Sequence, residues 1–303
     1  MSTTDTALSV SATINDAVRR QHYPAGTLYV VATPIGNVAD ISLRALHLLA
    51  LADAIACEDT RNSAQLLARY GISKPLLAAH QHNEREVAEK IISRLQAGER
   101  IALVSDAGTP GVSDPGARIV DAVQQAGLQV SPLPGASAAI AALSASGLIH
   151  DRFYFVGFLP AKAGQRDSSL RALQNIPATL VFYEAPHRIS DTVQALLQIF
   201  GPERRIVLAR ELTKLFEEIE RCTLGEAPAW LAADAHREKG EYVVLLEAAP
   251  VSEDEQDLEA RRVLAILLEE CSVKQAAALA AQLTGLKKNA LYQLALEMKQ
   301  ENP

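Results

Sequence analysis

The sequence predicts an α/β fold of two domains followed by a small helical module at the C-terminus. Three observations carry this. Short apolar runs alternate with helix-spaced segments from residue 26 to about 147, the pattern of a largely parallel sheet covered on both faces. The alternation restarts around Leu148-Ile-His-Asp-Arg152. Beyond the acidic stretch Ser252 to Gln256 only helical periodicity remains. The expected divisions are a loose tail over 1–25, α/β domains over 26–148 and 149–250, and a helical module over 256–303.

The first strand is Thr27 to Ala32, ending at Thr33-Pro-Ile-Gly-Asn37, with a helix from about Asp40. Ala54 to Cys57 is a second strand capped by Glu58-Asp-Thr-Arg61, and the next helix stops at Gly71. Leu76 to Ala79 reads as a third strand, Glu84 to Ala97 as a helix, and Ile101 to Val104 as a buried strand. Gln129 to Leu133 precedes Pro134-Gly-Ala-Ser137, and an Ala-rich helix runs to Gly147. In the second domain, Phe153 to Val156 is a strand and 157–165 a loop. Thr179 to Tyr183 ends at Glu184-Ala-Pro-His-Arg188, and a helix follows to about Phe200. Arg205 to Ala209 leads into Arg210-Glu-Leu-Thr-Lys214; strands are also expected over 217–223 and 241–247.

The stretch Ser105-Asp-Ala-Gly-Thr-Pro-Gly-Val-Ser-Asp-Pro-Gly116 stands out. Its glycines allow close approach of backbone to a ligand, and its prolines stiffen it. Asp114 before Pro115 predicts a helix start, with Asp as the N-cap and Pro at the first helical position. The loop has neither Gly-Lys-Ser/Thr nor Gly-x-Gly-x-x-Gly, and two carboxylates with no Lys or Arg before Arg118. That disfavours a polyphosphate and favours a ligand bearing a cation, an amine or hydroxyls. A tight structural turn explains the same composition.

A charged content of 21% and an apolar content of 49% are those of a globular protein, and no apolar run is long enough to span a membrane. The Ser/Thr-rich first two dozen residues resemble neither a secretory signal nor a basic transit peptide. Net charge of −7 weighs against a coat for nucleic acid, though not against a local basic site. Three scattered cysteines offer no metal-spaced pair, so no metal site is expected and a reducing compartment fits.

Three helices are expected at the C-terminus. The first carries Val263, Ile266 and Leu267; the second runs from Ser272 to Gly285; the third begins near Leu286. The second and third resemble a helix-turn-helix. Lys287 and Lys288 open the last helix, where cations oppose the helix dipole and an anion such as RNA phosphate would relieve the cost. A solvated helix start in a packing module is the other reading.

Taken together, Ala32-Thr-Pro-Ile-Gly-Asn37, Glu58-Asp-Thr-Arg61, Ser105 to Gly116, Pro134-Gly-Ala-Ser137, Tyr183 to Arg188 and Ala209 to Lys214 closely resemble the ribosomal RNA small subunit methyltransferase I family, within the tetrapyrrole methylase superfamily. The resemblance covers roughly 26–250, and the segment from about 256 is similar to the module many members carry. It implies a tetrapyrrole methylase-like fold with S-adenosylmethionine (SAM) in the cleft between domains, not on a Rossmann fingerprint. It further implies 2′-O-methylation of a cytidine in the decoding region of 16S rRNA in the small ribosomal subunit, by a cytoplasmic homodimer. By resemblance Pro34 and Gly36 line one side of the cofactor, and Asp106, Ala107, Gly108, Thr109 and Pro110 wrap it. Ser137 and Ala138 approach its amino-acid and ribose parts, and Tyr183 and Ala209 its adenosine side.

Proton removal from a ribose hydroxyl calls for a nearby base or an orienting charge. The candidates are Glu211, Lys214 and Asp59, with Arg61 and Arg188 available for phosphate. A structural ion pair between Glu211 and Lys214 is the competing reading. Two rival functions remain open: a methylase acting on a tetrapyrrole carbon, and a ribosome-binding assembly factor without catalysis.

Overall fold

The computed structural model describes residues 16–81, 83–149, 151–249 and 253–301. They divide into two units, Met1–Gln174 with Ala178–Glu247, and Asn175–Pro177 with Ala248–Pro303.

The first unit holds two five-stranded sheets. In the first, β1 (Thr27–Val31), β2 (Ala54–Cys57), β3 (Leu76–Ala78), β4 (Ile101–Leu103) and β5 (Gln129–Leu133) are all parallel, in the order β3-β2-β4-β1-β5. Alternate residues of each strand face opposite layers, so the strands must be apolar throughout. Tyr29, Val31, Ile55, Cys57 and Ala102 pack under Leu48 and Leu49 of α1 (Leu43–Leu51) and Leu67 of α2 (Thr60–Arg69). On the other face Leu28, Ala54, Ala56, Ile101 and Leu103 meet Ile91 and Leu95 of α3 (Glu84–Gln96), and Ile119 and Val123 of α4 (Ala117–Gln125).

The helix α5 (Ala138–Ser146), expected with the first domain, packs elsewhere: Ala139 and Ala142 join Val181, Val207 and Val243 of the second sheet. Its small side chains lie flush on that sheet, so the packing boundary falls before α5 rather than near residue 148. The second sheet is mixed, in the order β6-β7-β10-β8-β9. β6 (Phe153–Phe158) pairs parallel to β7 (Thr179–Glu184). β10 (Tyr242–Leu246) lies antiparallel between β7 and β8 (Arg205–Arg210), and β9 (Glu218–Thr223) closes the edge.

Several sequence expectations are corrected. The loose tail does not extend to residue 25: 1–15 lie outside the described residues, but Val18 and Tyr23 are buried, and Arg100 donates from Nε to the Tyr23 carbonyl at 2.9 Å. A 3-10 turn (Val38–Asp40) precedes α1, which starts at N-cap Ser42 rather than Asp40. The expected loop over 157–165 is shorter, because β6 continues to Phe158 and a helix, α6 (Ala163–Ala172), begins within it. That helix shows no apolar stripe; Leu170 is its one large buried apolar side chain. Asp114 is not an N-cap. The helix α4 begins at Ala117, and its end is held by Glu84 of α3, whose Oε1 accepts from the Gly116 N–H at 2.7 Å.

The second unit is three helices: α7 (Glu253–Glu270), α8 (Val273–Thr284) and α9 (Lys288–Glu301). Ala260, Val263, Leu264, Ala277, Ala280 and Leu291 form its core. Ser272 and Gln275 make a reciprocal capping box at the start of α8, and Gly285 ends it in a left-handed cap. The acidic run read as a linker is helical from Glu253 onward; Ser252 lies outside the described residues.

Candidate active site

Parallel pairing sets β1 between β4 and β5, so the segments leaving these three strands lie side by side at the sheet's carboxyl edge. The chain leaves neighbouring strands β1 and β4 toward opposite sides of the sheet, the arrangement that opens a crevice there. The segments are pinned to one another. Thr33 and Gly108 exchange N–H···O bonds of 2.8 and 3.0 Å. The Thr33 hydroxyl donates to the Ser105 carbonyl at 3.1 Å, and the Thr109 hydroxyl to the Ala136 carbonyl at 3.1 Å. Gly135 sits so close to the end of β1 that a Cβ there would stand 2.7 Å from Ala32 Cβ. Any larger residue would push the 134–137 turn off the sheet.

The second sheet supplies the opposing wall. Val243 of β10 pairs with Tyr183 of β7 and with Ala209 of β8, and directly opposed residues share a face. Register thus unites two residues that the sequence presents in separate motifs. The Tyr183 hydroxyl accepts from the Ala139 N–H at 3.3 Å, and its ring meets Phe155 and Phe158 edge-on at 5.1 and 5.6 Å. Burial pushes its phenol pKa up.

Between these walls lies a cavity of about 310 Å³, at the small end of the ~300–1,000 Å³ range of small-molecule sites. Ala107, Gly108, Thr109, Ser137 and Ala138 line it, as do Tyr183 and Ala209. Ile35, Val112, Phe158, Leu212 and Val243 give it apolar walls. Four carboxylates (Asp114, Glu184, Glu211 and Glu241) line it against one cation, Lys214, among the described residues.

Other residues singled out in the sequence lie outside this lining. Pro34, Gly36 and Pro110 are not among its lining residues, though a Cβ on Gly36 would stand 2.5 Å from Lys214 Cγ. Asp106 turns its carboxylate away to the start of α2, accepting from Asn62 Nδ2 at 2.8 Å and from the Asp59 N–H at 3.3 Å. Asp59 is the N-cap of α2. It accepts from the N–H groups of Arg61 and Asn62, which hold its carboxyl below the usual range and make it a poor base. Arg61 is exposed. Arg188 is committed to structure, donating from Nη2 to the Leu159 carbonyl at 2.7 Å and lying 3.2 Å from buried Glu184. Lys287 and Lys288 are exposed at the start of α9.

Glu211 and Lys214 line the cavity as a closed ionic group. Lys214 Nζ donates to Glu211 Oε1 and to Glu241 Oε2, each at 2.8 Å, and Glu211 Oε1 also accepts from the Glu241 N–H at 2.9 Å. Glu211 and Thr213 adopt left-handed backbone at φ of 49° and 67°, a local strain these bonds sustain. Burial raises the Glu211 pKa, but the Lys214 ammonium and the Glu241 N–H outweigh it and leave the carboxyl lowered. Burial lowers that of Lys214, yet its two carboxylate bonds leave it raised. The two carboxylates thus favour the charged form of Lys214.

Sequence reasoning passed over one lining residue that matters. Asp114 is pushed up to about 6, first by burial and then by the Glu58 and Asp106 carboxylates. Its signal was present in the Gly/Pro-rich loop but was absorbed by the helix-start pattern.

Known proteins match this architecture over most of its length. Residues 27–228 match the family model of Tetrapyrrole (Corrin/Porphyrin) Methylases, and residues 254–299 that of the RsmI C-terminal HTH domain. The Ribosomal RNA small subunit methyltransferase I of Pseudomonas aeruginosa is 54% identical over 275 residues, covering 90% of this chain and 98% of that one. The protein of the same name from Escherichia coli O157:H7 is 49% identical, covering 92% and 99%. Among solved structures, uroporphyrin-III C-methyl transferase from Thermus thermophilus complexed with S-adenyl homocysteine shares the fold, with a TM-score of 0.51 and 20% identity over 72% of this chain and 96% of that one. The chain belongs to the tetrapyrrole (corrin/porphyrin) methylases and, among them, to the ribosomal RNA small subunit methyltransferase I family.

Proposed function

We propose that this chain transfers a methyl group from SAM to the 2′-hydroxyl of a cytidine ribose in the decoding region of 16S rRNA, acting in the cytoplasm as a homodimer on the small ribosomal subunit. The observation that carries the reading is the composition of the cavity: backbone loops and apolar walls with four carboxylates against one lysine. A dinucleotide or polyphosphate would meet net repulsion there. A ligand with a sulfonium, an amino group and an adenosine meets acceptors and apolar surface instead. The names of the relatives and the ligand in the T. thermophilus structure agree with this choice.

When bound, SAM supplies an electrophilic methyl group on a positively charged sulfur. Ala107, Gly108 and Thr109 line its site, Ser137 and Ala138 stand at the start of α5, and Tyr183 and Ala209 offer the adenosine wall. Asp106 ties its loop to the start of α2, and Gly36 lets its loop approach Lys214; Pro34 and Pro110 belong to the same two loops. Lys214, held between two carboxylates, is suited to orienting the RNA backbone rather than to removing a proton. Alignment alone supplies several kcal/mol of the barrier reduction. Arg61, Lys287 and Lys288, all exposed, are suited to phosphate contacts that steer the subunit.

The test offers labelled SAM with purified small subunits in one reaction and with a free tetrapyrrole in another. The reading expects label on a cytidine 2′-oxygen of 16S rRNA and none on the tetrapyrrole. Label on the tetrapyrrole, or subunit binding without transfer, would contradict it.

A further inference from the structure

Three of the four carboxylates lining the cavity are already engaged. Glu184 accepts from the Thr192 hydroxyl at 2.6 Å and the Ala185 N–H at 2.8 Å, and it pairs with Arg188. Glu211 and Glu241 share the Lys214 ammonium. Asp114, the fourth, shares a hydrogen bond with Ser105 and has no ionic partner among the groups acting on it. The groups acting on it among the described residues are the Glu58 and Asp106 carboxylates and a hydrogen bond with Ser105; none is a cation.

Its backbone is fixed from both sides. Ser113 before it is left-handed at φ 60°, and Pro115 after it locks the chain and accepts at its carbonyl from the Gly111 N–H at 3.3 Å. Across the cleft, β6 carries a register shift between Phe155 and Gly157. There Gly157, at φ 76°, approaches so closely that a Cβ would stand 2.8 Å from Ser113 Oγ. The loop and the second sheet therefore clamp the residue next to Asp114, and Asp114 lines the cavity together with Tyr183 and Ser137.

Resting on the function proposed above, we infer that Asp114 is the general base that receives the proton of the attacking 2′-hydroxyl. The O–H bond breaks and its proton passes to an Asp114 carboxylate oxygen. The hydroxyl oxygen's electron pair forms the new bond to the methyl carbon, and the carbon–sulfur pair stays with sulfur as a neutral thioether. One positive and one negative charge are thereby cancelled, and Asp114 returns its proton to water. A carboxyl raised by burial is ionised at neutral pH yet more basic than an ordinary one, the balance a general base needs. The charges that raise it are Glu58 and Asp106, and Glu184, Glu211, Glu241 and Lys214 line the same cavity; Tyr183, whose pKa is raised chiefly by burial, is uncharged at neutral pH.

The experiment compares wild type, Asp114→Asn and Asp114→Glu by calorimetric SAM binding, by single-turnover methylation of small subunits across pH 5–9, and by the carboxyl ¹³C titration of the free protein. The inference expects, at saturating SAM, a rate loss of about 10²-fold or more in Asp114→Asn. It also expects loss of the acid limb that wild type shows near pH 6, partial recovery in Asp114→Glu, and a wild-type ¹³C titration with a midpoint near 6 that Asp114→Asn lacks. Retention of rate or of the acid limb in Asp114→Asn overturns it. So does full recovery of the Asp114→Asn rate at saturating SAM, which would make Asp114 a cofactor ligand only. If wild type itself transfers no methyl to the subunit, the fault lies with the function proposed above; if only Asp114→Asn behaves as wild type, it lies with this inference alone.

Discussion

Asp114 and Lys214 take opposite roles because their neighbours differ. Lys214 is fastened by two carboxylates, so it stays charged and still. Lys214→Met is expected to raise the KM for subunits about tenfold while leaving the acid limb of the rate profile in place; steady-state kinetics across pH check this. A loss confined to kcat, with the limb abolished, would assign Lys214 the proton transfer. Asp114 has a stability consequence whose sign follows from linkage. With its pKa raised to about 6, the native state binds the Asp114 proton more tightly than the unfolded chain does. Stability therefore falls as pH rises from about 4 to about 6 and is level above that window. Asp114→Asn removes this slope, so the variant should gain about 1–2 kcal/mol on wild type between pH 4 and pH 7, a figure discounted for partial exposure. Urea unfolding at intervals across that range measures it; parallel curves would contradict it. In the sequence, Asp-Pro in a Gly-rich stretch signals a helix start and a stiff loop equally. Only the Glu84 carboxylate on the Gly116 N–H, invisible to local reading, decides between them.

Elements aim these residues. Glu84 is buried on α3 and serves the start of α4, with Arg118 3.8 Å away. A carboxylate at that helix end offsets unpaired N–H groups and the helix dipole. Glu84→Ala should cost about 1–3 kcal/mol and weaken SAM binding, because the 105–116 loop runs directly into α4. Unfolding and calorimetry on the same preparation check the pair; a stability loss with unchanged affinity would separate the cap from the loop. The strands of the first sheet were legible because strands apolar on both faces announce a buried parallel sheet. The helix α5 was legible as a helix but not in its packing, since alanines carry no stripe that names a partner sheet. Tyr183 and Ala209 were legible through their motifs. That they meet depends on Val243 standing between them, a matter of register that no local pattern encodes.

Across the whole molecule, the acidic balance of −7 confines attraction for RNA to local patches. Arg61 in the first unit and the Lys287–Lys288 pair in the second are exposed cations, proposed above for phosphate contacts. Replacing both lysines with alanine should weaken subunit binding and lower the slope of log K against log salt by about 1–2, while SAM affinity stays constant. Filter binding over a salt series reads the slope, and an unchanged slope would leave the last helix a packing element. No described helix is long and apolar enough to cross a membrane. The central claim concerns the cavity between the two sheets, and a crystal structure of the protein soaked with SAM tests it most directly. The account predicts the adenosine against Tyr183, Ala209 and Val243, with the sulfonium facing the carboxylates. Density for SAM at any other place, or an empty cavity at saturating SAM, would contradict it.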